Sequence, residues 1–225
     1  MWKGIFEPFL ILVNNFTYLF FGFNIMDITR LFFEFINKFV NFSNEEFEHY
    51  ITPIIKVRRF GKKEYLIKAG DVENYFNFVV KGLIRKFYIK GNHEIITQIS
   101  TEGQIIMGQQ SFLGRIPSEY YIEAIEPSVV VSIRHEHLDE LYNKSKKMEH
   151  LGRLVVTYMM VISDRWQMQN VKMTPRERFI NFVSKNPELM QRVPQKYLAS
   201  YLNIKPETFS RFKHLLRNHS KNHAA

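Results

Sequence analysis

Near the C-terminal end of this 225-residue chain, Glu207, Ser210, Arg211 and His214 follow one another at helical spacing. Counted from Glu207 the intervals are 3, 4 and 7 residues, which places all four on one face of a helix. Phe209, Phe212 and Leu216 would form the opposite, buried face. A guanidinium fork pairs with the O6 and N7 acceptors of guanine, and a carboxylate accepts from the amine of cytosine. Arg211 and Glu207 thus suit base edges, or Glu207 orients Arg211. Lys196, Lys205 and Lys213 around them suit phosphate oxygens.

Other chemistry is sparse. The chain has no G-x-S-x-G, P-loop or H-E-x-x-H motif, so no enzyme activity is expected. It has no Cys, which removes disulfides, thiolate nucleophiles and cysteine-ligated metal centres. His135 and His137 are two apart, and His219 and His223 are four apart, but no Cys is available to complete a ligand set at either pair. We expect solvated histidines, no metal and no cofactor. Tyr120 and Tyr121 suit either a ligand pocket or cross-strand packing.

The reading face needs a helix, and the helix needs a support. Pro194–Leu202 reads as a short helix with Leu198 and Leu202 inward and the small Ala199 between them. Asn203 tolerates the left-handed conformation of a sharp turn, Ile204 plugs the gap, and Pro206 opens the second helix with Glu207 in its first turn. This is the plan of a helix-turn-helix. A helix precedes it, with Thr174 as N-cap, Pro175 first, Glu177 closing a capping box, and Asn186-Pro187 as its stop. Charge agrees. From Lys172 onward there are eleven Lys and Arg against three Asp and Glu, whereas the first 171 residues hold twenty against nineteen. Excess positive charge confined to one end points to a polyanion, and double-stranded DNA is the expected partner.

Upstream the period changes twice. Seven short apolar runs, 54–60, 65–68, 75–80, 83–89, 94–99, 120–125 and 129–133, are separated by turn residues such as Ala69-Gly70-Asp71 and Lys90-Gly91-Asn92. Such spacing predicts a β-sandwich or barrel. Residues 27–53 read as helical on Leu31, Phe35, Phe39 and Phe42, with Ser43 and Glu46 as a capping box. Between the β region and the basic end, Glu149–Gln169 reads as a long helix. Its apolar stripe comprises Leu151, Leu154, Val155, Tyr158, Met159, Ile162 and Trp166. That stripe must be buried, either on the β domain or on a second copy of the chain; we expect a homodimer.

The first 25 residues include nineteen consecutive uncharged positions between Glu7 and Asp27, close to the length of a membrane span. Asn14, Asn15 and Asn24 interrupt the run. The expectation is an extension upstream of a natural start at Met26, with a membrane or interfacial anchor as the alternative. A cytoplasmic location is expected.

The order of β region, long helix and basic helix-turn-helix resembles the Crp/Fnr superfamily of bacterial transcription regulators. The motif residues are Leu198–Ile204 followed by Pro206–Arg211, and Pro53–Ala69, Phe78–Gly82 and Gly108–Phe112 resemble the family's cyclic-nucleotide-binding-like roll. The resemblance covers about residues 27–217. It implies an α+β fold: residues 26–148 as a jelly-roll-like β-roll sensor domain, 149–171 as the dimerisation helix and 172–225 as an all-α helix-turn-helix domain. It also implies DNA contacts by Gln195, Lys196, Lys205, Glu207, Thr208, Ser210, Arg211, Lys213 and His214, with RNA polymerase as a further partner. The implied effector pocket comprises Gly108, Gln109, Gln110, Ser111, Arg115, Glu119 and Tyr120. Two departures stand out. The family's Gly-Glu pair is Gly108-Gln109 here, and its phosphate-binding Arg aligns with Glu119, Arg115 lying four residues earlier. A carboxylate facing a cyclic phosphate would repel it, so cyclic AMP is not expected as the effector. The tail after Leu216 is short, so a wing hairpin is expected to be truncated or missing. The alternative function is a ligand sensor acting through protein contacts, with a vestigial helix-turn-helix.

Overall fold

A computed structural model describes residues 25–222. The hydrophobic run before residue 25 lies outside the described residues. Helices α1 (Ile25–Ile36) and α2 (Asn44–Tyr50) lead through a 3₁₀ turn into strands β1 (Ile55–Phe60), β2 (Tyr65–Ile67), β3 (Tyr75–Lys81), β4 (Ile84–Lys90) and β5 (His93–Ser100). Helix α3 (Gln109–Gly114) precedes β6 (Tyr121–Ala124) and β7 (Ser128–Arg134). Then come α4 (His135–Lys144), α5 (Lys146–Lys172), α6 (Pro175–Lys185), α7 (Leu189–Arg192), α8 (Gln195–Tyr201) and α9 (Pro206–Asn222). Every strand end falls within one residue of its expected place. Among the described residues no strand follows α9.

The strands form two antiparallel sheets, ordered β1-β7-β3 and β2-β6-β4-β5. Their inner faces meet over Phe60, Ile67, Val79, Ile84, Ile106, Ile122 and Val130. Both outer faces are covered as well. Phe76, Phe78, Val129, Val131 and Ile133 pack under α1 and the start of α5. Leu83, Phe87, Ile96, Ile99 and Ile125 pack under the C-terminal helices. Alternation therefore shows on β3, where Asn77 and Val79 face inward and Phe76 and Phe78 outward, yet both sets are buried.

Three expectations shift. The apolar face of α1 is Ile28, Phe32, Phe35 and Ile36, with Leu31 half-buried; the helix ends before Phe39 and Phe42. Helix α5 extends three residues beyond each expected end. Part of its apolar stripe packs on its own chain: Leu151 and Val155 are buried in the layer shared with α1, the exposed Tyr158 touches Phe35 and Phe39, and Trp166 stacks on Tyr201 with centroids 4.3 Å apart. Leu154 and Met159 are half-buried, and Ile162 is exposed. Gly152 allows the close approach of α4, since a Cβ there would lie 2.6 Å from the Tyr142 ring.

The helical end is fastened to the roll by polar contacts. The Ser200 hydroxyl accepts from Ile96 N (3.0 Å) and donates to Glu94 O (3.1 Å), satisfying the open edge of β5. Arg192 at the end of α7 donates to both Glu102 oxygens (3.1 and 2.8 Å) and to Glu126 (2.6 Å). Burial raises the Glu102 pKa, but hydrogen bonds from Arg192 and Thr101 outweigh it and hold the carboxyl down at about 2. Because this folded-state pKa is depressed, the contribution of the clasp is complete above the ordinary carboxylate range. It is lost as pH falls through about 2. We expect Arg192→Met to return Glu102 towards the ordinary carboxylate range in an NMR titration; an unchanged Glu102 titration would contradict the clasp.

Candidate nucleic-acid interface

The capping box at α6 forms as read: Thr174 Oγ1 accepts from Glu177 N (3.3 Å), and the Glu177 carboxylate accepts from Thr174 N (2.8 Å). Phe179 and Phe182 then point inward. The Phe209 ring meets Phe179 edge-on at 5.1 Å, which joins α9 to α6. On α8, Leu198 and Ala199 are fully buried, and the small Ala199 lets α9 pack close. Asn203 takes φ +52°. With the chain turned there, Asn203 N donates to Ser200 O and Ile204 N to Ala199 O, each at 3.0 Å. Phe212 is half-buried against Phe179 rather than fully enclosed. The Leu216 side chain lies outside the described residues.

This packing leaves a polar face outward. Glu207, Ser210, Arg211 and His214 are exposed on α9, as are Gln195, Lys196 and Lys205 nearby; Thr208 and Lys213 are half-buried. The Arg211 guanidinium rests over the Phe212 ring at 5.7 Å. The turn that aims this face is held by a residue that sequence reading missed. Arg178 is buried, and its guanidinium donates to Leu202 O (3.1 Å), Asn203 O (3.5 Å), Asn170 O (3.1 Å) and Met173 O (2.7 Å). These carbonyls terminate α5 and α8, where partial negative charge collects. One cation thus pins the end of the long helix to the helix-turn-helix corner. Its only sequence signal was its place on the inward side of α6, one residue from Phe179.

A second set of candidates lies inside the roll and is only partly assembled. Gly108 and Ser111 are buried, Gln109 and Tyr120 are half-buried, and Gln110 is exposed. Glu119, expected to face a ligand phosphate, is instead exposed. The buried side chain beside Gly108 is Ser118, whose Oγ would lie 3.3 Å from a Cβ at Gly108. Ser118, not Glu119, therefore stands next to Gly108, and the Glu119 carboxylate is open to solvent. Arg115, at φ +53°, is occupied elsewhere, donating to Glu73 O (2.7 Å), Phe112 O (3.3 Å) and Asn74 Oδ1 (2.5 Å). The cation that reaches Gln109 is Lys86 of β4, with Nζ donating to Gln109 Oε1 at 2.7 Å. Its inward position between Ile84 and Tyr88 was the overlooked signal.

Of the histidines, His135 packs on Phe112. Among the described residues no group of three or more His, Asp or Glu is placed to hold a metal, and no helix is long and apolar enough to cross a membrane.

Residues 57–145, within the roll and α4, match the family model of the cyclic nucleotide-binding domain. Around it, the roll, long helix and C-terminal helices give the chain the α+β fold of Crp/Fnr-type regulators. FixK2 from Bradyrhizobium japonicum has a TM-score of 0.64 at 16% identity, covering 74% of this chain and 86% of FixK2. CLP from Xanthomonas campestris, described as a c-di-GMP responsive global regulator, has a TM-score of 0.60 at 15% identity, covering 79% of this chain and 93% of CLP. A cyclic nucleotide-binding domain from Methylobacillus flagellatus KT has a TM-score of 0.53 at 19% identity, covering 64% of this chain and 81% of that domain. At these identities the likeness is one of fold. No curated protein matches the sequence.

The Arg178 clamp makes a direct prediction. Arg178→Met strands four carbonyls near helix ends and should destabilise the C-terminal helices by about 2–4 kcal/mol. Arg178→Lys, lacking the planar fork, should recover little of this. Urea unfolding followed by Trp fluorescence reads the change through Trp166; wild-type stability in both variants would refute the assigned role.

Proposed function

We propose that the chain is a sequence-specific, dimeric DNA-binding transcription regulator of the Crp/Fnr type, with an altered effector pocket. The observation that carries this reading is the exposed polar face of α9, held outward by the left-handed Asn203 and the Arg178 clamp. Arg211 reads a guanine edge, and Glu207 accepts from a cytosine amine or orients Arg211. Lys196, Lys205 and Lys213 hold phosphates, with Gln195, Thr208, Ser210 and His214 completing the footprint. RNA polymerase is the further protein partner in this reading, and the cytoplasm its place of action. Cyclic AMP is not the effector, now because Arg115 is committed to the β2–β3 loop and Ser118 stands beside Gly108.

Dimerisation uses the outward side of α5. At 100° per residue, Met148, Leu151, Val155 and Trp166 face the body of the chain, and Met160, Val161, Met168 and Val171 face away from it. These last four are exposed, Met160 at 67% and Val171 at 82%. An apolar face of this kind on a long helix suits a second copy of itself. The two reading helices would then meet half-sites one helical turn apart, roughly 34 Å.

Two measurements test the proposal. Arg211→Ala should cost about 1–3 kcal/mol per half-site and relax base preference there. Lys213→Ala should weaken all sequences alike and flatten the salt dependence. Unchanged preference in Arg211→Ala, read by fluorescence anisotropy on selected and random duplexes, would show the reading face to be wrong. Light scattering at micromolar concentration should give a dimer for the wild type and a monomer for Val161→Glu combined with Met168→Glu. A wild-type monomer with and without DNA would sink the dimer.

A further inference from the structure

Lys86 is 7% exposed, and its ammonium has no carboxylate among its hydrogen-bond partners. It donates to Met107 O at 3.3 Å and Gln109 Oε1 at 2.7 Å, both neutral. Its third close neighbour is the face of the Tyr120 ring, 5.3 Å from Nζ. The other buried cations are provided for differently. Arg85 lies between Glu94 and Glu123, and Arg178 is ringed by carbonyls at helix ends. Burial pushes the Lys86 pKa down to about 8. An ammonium removed from water without a counter-ion is costly, and a bound anion offsets that cost.

The side chains around the Lys86 ammonium are partly open to solvent. Gln109, Tyr88 and Tyr120 are half-buried, and the two tyrosine rings meet edge to face at 6.2 Å. Gln109, the residue Lys86 grips, carries no charge. A carboxylate there would have satisfied Lys86 permanently, whereas an amide is a neutral acceptor that an anion displaces.

We propose that the roll binds a small anionic ligand through Lys86, with the carboxylate or phosphate group of the ligand taking the place of Gln109 Oε1. The cation comes from β4 and not from the loop after α3. This rests on reading the roll as an effector domain, but it does not depend on DNA binding.

The test uses the full-length protein and Lys86→Met, which keeps an unbranched apolar stem as far as Cε and removes the ammonium. Thermal midpoints are measured in sodium phosphate, sodium acetate and cyclic AMP against chloride at equal ionic strength. Anions also meet the basic C-terminal helices, so the difference between the two proteins isolates Lys86. We expect phosphate or acetate to raise the wild-type midpoint by about 3 °C more than that of Lys86→Met, when present at about ten times its dissociation constant. Which anion does so separates a phosphate from a carboxylate ligand. Mass-resolved amine acylation of wild-type Lys86 should slow in the same anion, because binding holds the ammonium protonated. If Lys86→Met fails to fold, this acylation measurement decides alone. Equal midpoint shifts for both proteins in all three anions, with unprotected Lys86, would overturn the proposal. DNA binding measured on the same samples would still stand or fall separately. A Lys86-dependent response to cyclic AMP would support the anion site while removing the exclusion of cyclic AMP above.

Discussion

The geometry of the whole C-terminal half depends on how one buried guanidinium is satisfied. Arg178 carries a positive charge in a site without carboxylates, which is tolerable because four backbone carbonyls converge on it. Helix ends leave such carbonyls without intrahelical partners. The ends of α5 and α8 therefore need a donor, and Arg178 needs acceptors. Meeting both needs fixes where α6 crosses α5 and where the turn at Asn203 sits. The exposed polar face of α9 inherits its direction from that arrangement, with Phe209 on Phe179 as the apolar counterpart.

The roll stands between two helical layers. One outer face receives α1 and the start of α5, and the other receives α6–α9. Beneath the second layer, the Arg85 guanidinium lies between the Phe87 and Tyr197 rings, 4.0 and 4.1 Å from their centroids, while bonded to Glu94 and Glu123. The roll and the C-terminal helices thus share a core as well as a linker. The long helix packs its inward residues against this body, which leaves Met160, Val161, Met168 and Val171 exposed on its outward side.

Local chemistry was the legible part of the sequence. Turn residues bounded the strands, and capping boxes at Ser43 and Thr174 opened helices where they were read. The Asn203 turn was legible because few residues accept a positive φ. What stayed hidden depends on contacts distant in sequence. The sheets are apolar on both faces, so inner and outer positions could not be separated by polarity. Arg178 and Lys86 resemble solvated cations until their burial is known. Periodicity showed the apolar face of α5 but not what each part of it meets: Leu151 and Val155 pack in their own chain, whereas Ile162 is exposed. Glu119 and Ser118 are adjacent, and only the path of the loop after α3 decides which of them faces Gly108.

Strand β4 is read from both sides. Leu83, Arg85 and Phe87 lie against the C-terminal helices or their ion network, while Ile84 and Lys86 face the interior of the roll. Two neighbouring cations therefore serve different layers, separated by the thickness of one sheet. Natural variation in this strand has to proceed by substitution, since inserting or losing one residue exchanges the two faces. Such a slip would bring the guanidinium into the roll and the ammonium under Tyr197, spoiling both layers at once. Divergent copies of this chain should accordingly accumulate length changes in the turns flanking β4, and keep the strand itself at constant length.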